Sequence, residues 1–172
     1  MGDALEELLR ESGGETPSLP VVAGRAGVSP STVYRRWGDA ASLVAEVAAQ
    51  RLDPARPLPD TGSLEEDLAL WASEVWDHWR RPAKTAMLRA AAAVSEGTPN
   101  SCLRDRRAEA GAIISRTLGA ASFDPTPDQV VDHVIAPMIY RLVFETATAD
   151  GSVPRQLVRE CMALAASEAG RT

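Results

Sequence analysis

The chain contains few cysteines, histidines and aromatic residues, and it has no long apolar run. There are two Cys, two His, two Phe and two Tyr in 172 residues. Cys102 and Cys161 stand alone, without a CxxC pair, so we expect a reduced, cytoplasmic chain with no metal site. No stretch approaches the roughly 20 apolar residues of a membrane-spanning helix. The N-terminus is acidic and amphipathic, unlike a signal peptide, so no membrane partner is expected.

The residue patterns of common enzyme classes are also missing. The chain has no GxSxG, no HExxH and no glycine-rich phosphate loop. His78 and His133 lie far apart in the sequence, and the neighbouring Asp132 and His133 are interpreted as an incidental pair. The two cysteines are interpreted as packing residues, with redox sensing as the alternative. The sequence therefore predicts neither an enzyme nor a bound cofactor.

The composition indicates a helical protein. Hydrophobic residues make up 45% of the chain and charged residues 24%, which is ordinary for a globular protein. Ala, Leu, Arg and Glu abound, while β-branched and aromatic residues are sparse, and this balance favours α-helix.

Residues 18–43 predict two short helices separated by a glycine turn. Ser18 is placed to cap the first helix, and Pro20 falls in its first turn. Gly27 can adopt the positive φ that a sharp break between helices requires. Ser29 then precedes Pro30, which occupies the first position of the second helix. This arrangement is a helix-turn-helix signature.

The second of these helices has an apolar face and a polar face. Val33 and Trp37 are four residues apart and share one face, with Val28 expected to pack below them. The other faces carry hydroxyl, phenol and guanidinium groups that can bond phosphates and base edges in a DNA major groove. These residues are Ser31, Thr32, Tyr34, Arg35 and Arg36.

The run AGVSPSTVYRRW, followed by a helix that begins near Asp39 and carries Leu43, resembles the DNA-binding domain of the TetR family of transcriptional repressors. The resemblance covers about residues 4–52. It implies contacts to double-stranded operator DNA from one set of residues. That set comprises Ser18, Ser29, Ser31, Thr32, Tyr34, Arg35 and Arg36.

The charge of this region predicts a modest, salt-sensitive affinity for DNA. The whole chain has a net charge of −6, and residues 1–52 contain five Arg against seven Asp or Glu. Phosphate neutralisation dominates DNA affinity, so an acidic domain starts at a disadvantage. Family members often carry a basic segment before the first helix and a Lys at the position of Ala40, whereas this chain begins with acidic residues.

The remainder of the chain predicts a second, larger helical domain. Prolines at 54, 57 and 59 mark the boundary, so the domains are expected at residues 1–52 and 53–172. The expected fold is all-α, with about nine helices: a three-helix head and an antiparallel helical regulatory domain. A capping box (Ser63, Glu66) opens the first body helix. The helices predicted beyond the boundary span residues 63–81, 83–95, 100–120, 128–148 and 154–169.

Apolar stripes on these helices suggest a ligand site and a dimer interface. Candidate ligand contacts, for which core packing is the alternative, are Trp71, Val75, Met87, Ile113, His133 and Met138. The helix at 128–148 is apolar on nearly every side, which favours burial against a second subunit, with a kink at Pro137. Candidate interface residues are Val131, Ile135, Ile139, Val143, Val158 and Met162. The charged run 104–109 is expected to face solvent.

The resemblance implies a dimeric repressor that releases operator DNA when a largely apolar small molecule binds the regulatory domain. Two alternatives remain open. One is a helical ligand-binding or adaptor protein that has the same fold but little DNA affinity. The other is an enzyme acting in the C-terminal domain, for which the sequence offers no positive residue pattern.

Overall fold

The computed structural model describes residues 1–12, 15–48, 56–94, 101–117, 123–145 and 150–170. All regular secondary structure in these ranges is helical, which confirms the all-α prediction. The first seven helices are α1 (Gly2–Glu11), α2 (Leu19–Ala26), α3 (Pro30–Trp37), α4 (Ala40–Ala48), α5 (Leu64–Trp79), α6 (Pro82–Val94) and α7 (Ser101–Thr117). Within the described ranges, each helix is too short or too polar to span a membrane.

Helix α8 is continuous but changes its winding along its length. It consists of an α-helical turn (Pro127–Val130), a π-helical segment (Val131–Ile135) and a second α-helical segment (Ala136–Phe144). Helix α9 spans Val153–Ala169. Most predicted helices begin within two residues of the observed ones. The predicted ends at residues 95, 120 and 148 lie outside the described residues.

A π-helical segment lies directly before Pro137, the residue at which the sequence predicts a kink. The amide N–H of Ala136 donates to the carbonyl of Val131, five residues earlier. Pro137 has no N–H and could not make the next helical hydrogen bond. A wider turn directly before it accommodates this loss without ending the helix.

The chain divides into two compact units. The head unit comprises Met1–Gln50 and Trp79–Pro99, and the body unit comprises Arg51–His78 and Asn100–Thr172. The sequence-based division at residue 52 stays a prediction. Helix α6, which lies beyond that boundary in the sequence, packs against α4 and α1 of the head unit.

Helix α6 supplies part of the head unit's core. Its Ala83, Ala86 and Met87 are buried in one hydrophobic cluster with residues of α1 to α4. The cluster members from α1 to α4 are Leu5, Leu8, Leu9, Leu19, Val22, Ala23, Val33, Leu43, Val44 and Val47. The ammonium of Lys84, which is nearly buried, donates to the carboxylate of Glu6 on α1. Three helices beyond α2 and α3 therefore support the helix-turn-helix.

Polar side chains cap the first turns of two helices in the body unit, α5 and α8. Ser63 accepts a hydrogen bond from the N–H of Glu66 at 3.4 Å, as expected for a cap of α5. The reciprocal half of the predicted capping box is wrong, because the Glu66 carboxylate binds Arg155 at 2.8 Å instead. A complete capping box stands at the start of α8, where Thr126 and Gln129 each bond the other's backbone N–H.

Cys161 on α9 is buried against α8. Its thiol lies 3.7 Å from the carbonyl oxygen of Gln129, to which it can donate. Burial raises the pKa of this thiol to about 11. The side chain of Cys102 lies outside the described part of the structure.

Gly27 and Gly24 form a matched pair for testing the turn between α2 and α3. Gly27 has φ +67°, whereas Gly24 lies within α2, and a Cβ at either position would meet no atom within 4 Å. We expect Gly27→Ala to lower the free energy of unfolding by about 1–2 kcal/mol, because L-residues avoid this conformation. Gly24→Ala should raise it by up to about 1 kcal/mol, because alanine favours helix. Urea unfolding followed by circular dichroism measures both, and shifts of the same sign would contradict the assigned turn.

The buried thiol of Cys161 should react slowly in the folded protein. Iodoacetamide attacks the thiolate, which both burial and the raised pKa suppress. We expect modification at mildly alkaline pH to be much slower in buffer than in urea, as measured by mass spectrometry of the peptide containing Cys161. The unfolded thiol loses its proton at a lower pH than the folded one, so the group's contribution to stability declines as pH rises above about 8.5. Equal rates in buffer and urea would contradict the buried placement.

Candidate nucleic-acid interface

The turn between α2 and α3 has the geometry that the sequence predicts. Gly27 adopts a left-handed conformation, and the N–H groups of Gly27 and Val28 donate to the carbonyls of Gly24 and Ala23. Ser18 and Ser29 occupy the N-cap positions of α2 and α3 with extended backbones. Neither hydroxyl makes the predicted capping bond. The Ser29 Oγ instead lies 2.8 Å from the Ser31 Oγ.

One buried side chain fixes the orientation of α3. Val33 is fully buried in the head core, and Trp37 packs against that core while remaining partly exposed. Val28 was expected beneath them, but it is 39% exposed because it follows the left-handed turn. All seven residues predicted to contact DNA are exposed: Ser18, Ser29, Ser31, Thr32, Tyr34, Arg35 and Arg36. The structure thus presents the predicted polar face of α3 to solvent.

The two guanidinium groups at the end of α3 have different surroundings. Arg36 donates to Glu46 of α4 at 2.8 Å and lies 4.6 Å from the centroid of the Trp37 ring. The indole N–H of Trp37 donates to the other oxygen of Glu46, also at 2.8 Å. Arg35 makes no ion pair with any residue that the structure describes. Local sequence patterns do not indicate these contacts, because Arg36 and Glu46 are ten residues apart on different helices.

Ion pairs within the head unit offset the acidic residues of α1. Arg25 of α2 binds both oxygens of Glu11, at 2.9 and 2.7 Å, and one oxygen of Glu7 at 3.1 Å. These hydrogen bonds raise the pKa of Arg25 and lower that of Glu11. Glu6 binds Lys84 of α6. Three carboxylates of α1 are therefore matched by cations of the same unit.

Helix α6 and its preceding residues also change the net charge of the head. Residues 1–50 contain four Arg and seven Asp or Glu, and residues 79–99 add four Lys or Arg and one Glu. The head unit as the structure defines it therefore carries eight basic and eight acidic residues. The α6 segment therefore raises the net charge from the −2 of residues 1–52 to zero for the head unit.

Asp39 directly precedes α4, the helix that follows α3. Its Oδ1 accepts from the N–H of Ser42 at 2.7 Å, which caps α4 and lowers the pKa of Asp39. Ala40 is the first residue of α4. A fixed carboxylate thus lies one residue before Ala40, the position at which the resemblance implies a Lys.

The six candidate ligand residues do not all lie in one place. Trp71, Val75, Ile113 and Met138 are buried in the body unit. The other two differ: Met87 is part of the head core, and His133 is exposed. The body interior therefore retains four of the six, and their location in α5, α7 and α8 is consistent with either a ligand site or packing.

The body unit contains a charged network around Glu109 that the sequence analysis does not predict. The Trp71 indole N–H donates to Glu109 at 2.7 Å, and Arg56 and Arg106 bind the same carboxylate at 3.2 and 3.0 Å. Arg56 also reaches Glu74 at 3.2 Å. Arg106 is only 3% exposed, so the expectation that the run 104–109 faces solvent is wrong at this residue. Helical periodicity indicates the burial of Arg106 only weakly, because the residues on both sides of it are also charged.

The candidate dimer residues fall into two groups. Val131, Ile135 and Val158 are buried within the body unit, whereas Ile139, Val143 and Met162 are partly exposed. The large exposed rings on α8 are Tyr140 and Phe144, at 59% and 67% exposure. Their ring centroids are 5.1 Å apart. The i, i+4 spacing of these aromatic residues was the available signal for an exposed apolar patch.

Comparisons with known proteins identify the family. The family model described as "Tetracyclin repressor-like, C-terminal domain" matches residues 58–161. The HTH-type transcriptional regulator AqdR of Rhodococcus erythropolis is 33% identical over 87 residues, which cover 51% of this chain and 42% of AqdR. The uncharacterized HTH-type transcriptional regulator YdeS of Bacillus subtilis (strain 168) is 24% identical over 163 residues, which cover 90% of this chain and 82% of YdeS. The matched region thus spans less than half the length of AqdR. Since the family model covers more than half of the residues, and the helix-turn-helix precedes the matched region, the chain belongs to the TetR family of transcriptional regulators.

Proposed function

We propose that this regulator is a repressor that binds operator DNA as a homodimer and releases it when a small molecule binds the body unit. The observation that carries the proposal is the exposed polar face of α3, held outward by the burial of Val33. Such a regulator acts on chromosomal DNA, so its place of action is the cytoplasm.

The side chains on α3 fit the chemistry of a major groove. Arg35 can bind a phosphate or the O6 and N7 atoms of guanine, and Tyr34 can donate to a phosphate. Ser31 and Thr32 add hydroxyls in the first turn of the same helix. At the start of α2, Ser18 has a hydroxyl that makes no capping bond, and the helix N-terminus there favours a phosphate.

A dimer would carry two copies of α3 that can bind the same DNA duplex at once. Successive major grooves on one face of DNA are about 34–36 Å apart, so the distance between the two heads determines affinity. The exposed rings of Tyr140 and Phe144, flanked by the partly exposed Ile139 and Val143, supply an apolar surface for a second copy. Burial of the exposed part of each ring favours association by less than the roughly 1.5–3 kcal/mol of a fully buried large apolar side chain.

Ligand control would act through the body unit. A largely apolar small molecule that inserts among Trp71, Val75, Ile113 and Met138 would favour one arrangement of the body helices over another. A tenfold loss of operator affinity requires about 1.4 kcal/mol of this preference. The charged network at Glu109 adjoins Trp71, so a polar group on the ligand could also find a partner there.

Loss of the exposed groups on α3 should weaken DNA binding. We expect Tyr34→Ala with Arg35→Ala to reduce DNA affinity at least about tenfold. The slope of log affinity against log salt concentration should become shallower by about one for each head. Fluorescence anisotropy with duplexes tiling the DNA upstream of the chain's own gene, at low and moderate salt, measures both effects. The control is Arg104→Ala, which removes one charge from an exposed position on α7 and should leave affinity unchanged.

Two results would contradict this assignment. If the wild-type chain binds none of the duplexes even at low salt, the alternative of a ligand-binding or adaptor protein with the same fold is favoured. If the wild-type chain binds but the Tyr34 and Arg35 variant binds equally well, α3 is not the DNA-contacting element.

The exposed rings of α8 provide a test of dimerisation. We expect the wild-type chain to be a dimer in light scattering after size exclusion, and Tyr140→Asp with Phe144→Asp to shift it to a monomer. Introducing two carboxylates into a desolvated contact costs far more than the rings contribute. Phe123→Asp is the control, because Phe123 is also exposed on the body unit but lies outside α8. A dimer that survives the α8 substitutions would place the interface elsewhere.

A further inference from the structure

The carboxylate of Glu46 binds two consecutive residues of the recognition helix. One oxygen accepts from the Arg36 guanidinium and the other accepts from the Trp37 indole N–H, each at 2.8 Å. The guanidinium also lies over the Trp37 ring, 4.6 Å from its centroid. Glu46 is carried by α4 and the other two residues by α3, so the three side chains form a contact between these helices.

The ion pair between Glu46 and Arg36 is exposed enough for another anion to replace Glu46. The Arg36 side chain is 63% exposed and that of Glu46 is 47% exposed, so water and ions reach both groups. An exposed ion pair of this kind contributes little to stability, about 0.2–1 kcal/mol. A DNA phosphate offers Arg36 a comparable charge-assisted hydrogen bond. Arg36 can therefore bind either Glu46 or a phosphate.

The contact with Trp37 holds the carboxylate in place. Trp37 is partly buried against the head core, and its N–H has only the Glu46 oxygen as a described partner. Glu46 thus remains beside α3 even when Arg36 turns away. While Arg36 is paired, the end of α3 offers DNA the charge of Arg35 alone.

We propose that Glu46 competes with DNA phosphate for Arg36, so that α4 limits how tightly α3 holds DNA. This inference rests on the proposed DNA-binding function. It assigns different roles to adjacent arginines: Arg35 contributes its full charge to binding, whereas Arg36 contributes only when it leaves Glu46.

Glu46→Gln tests the competition with little change in shape. The amide oxygen can still accept from the Trp37 N–H, while the negative charge that holds Arg36 is lost. We expect affinity to rise about two- to fivefold for each head, as the loss of an exposed ion pair allows. The slope of log affinity against log salt concentration should become steeper by about 0.9 for each head, because one more phosphate is neutralised. The probe is the upstream duplex that the wild-type chain binds, followed by fluorescence anisotropy over a salt series.

Substitutions at the two arginines separate this competition from a simple change in charge. We expect Arg36→Gln to have a small effect in the wild-type chain and to abolish the gain in the Glu46→Gln chain. Arg35→Gln is the matched control, and it should weaken binding equally in both chains. The comparison of the two arginine variants in the wild-type chain tests the same idea without any change at Glu46.

The possible failures are distinguishable. If Glu46→Gln fails to tighten binding while Arg35→Gln still weakens it, the competition is refuted and the proposed function stands. If the gain persists after Arg36→Gln, Glu46 repels DNA directly and the assigned role of Arg36 is wrong. If no variant binds any duplex, both the inference and the proposed function are overturned.

Discussion

Burial of Val33 in the head core is the constraint on which the proposed DNA-binding surface depends. Helix α3 has only eight residues and could not persist alone in water. Its single fully buried side chain fixes which residues face outward. The core that receives Val33 is assembled from α1, α2 and α4 together with α6, which lies far along the chain. The orientation of Tyr34 and Arg35 is therefore a consequence of packing by four other helices.

Electrostatics in the head unit follow from the same packing. Acidic residues of α1 would oppose DNA binding if they stood alone, but Arg25 and Lys84 bind three of them. The segment that brings Lys84 also balances the charge of the unit. Glu46 has the opposite effect, because its carboxylate pairs with the guanidinium of Arg36 on α3. The charge exposed on the proposed DNA-binding surface is thus determined by contacts between helices as well as by composition.

Sequence reasoning succeeded where the signal was local. The left-handed turn at Gly27 and the limits of α2 and α3 follow from glycine and proline positions, and the exposed set on α3 follows from helical period. It failed where one residue's environment depends on a distant segment. The second half of the capping box at Ser63 is replaced by Arg155, and Arg106 is buried where Arg56 and Trp71 also bind Glu109. Both outcomes require partners far along the chain that neighbouring residues do not reveal. The exposure of Val28 has a different origin, since this residue directly follows the left-handed turn.

The sequence by itself determined the family, the all-α class and the helix-turn-helix, because these are encoded in short-range patterns of caps, turns and apolar spacing. Only the tertiary structure decided that α6 and its Met87 belong to the head core, that Glu46 holds Arg36, and that Trp71 bonds a charged network. Such contacts join residues that are tens of positions apart or lie on separate helices. The free energy of burial and ion pairing depends on where helices meet in space, which periodicity along one helix does not specify.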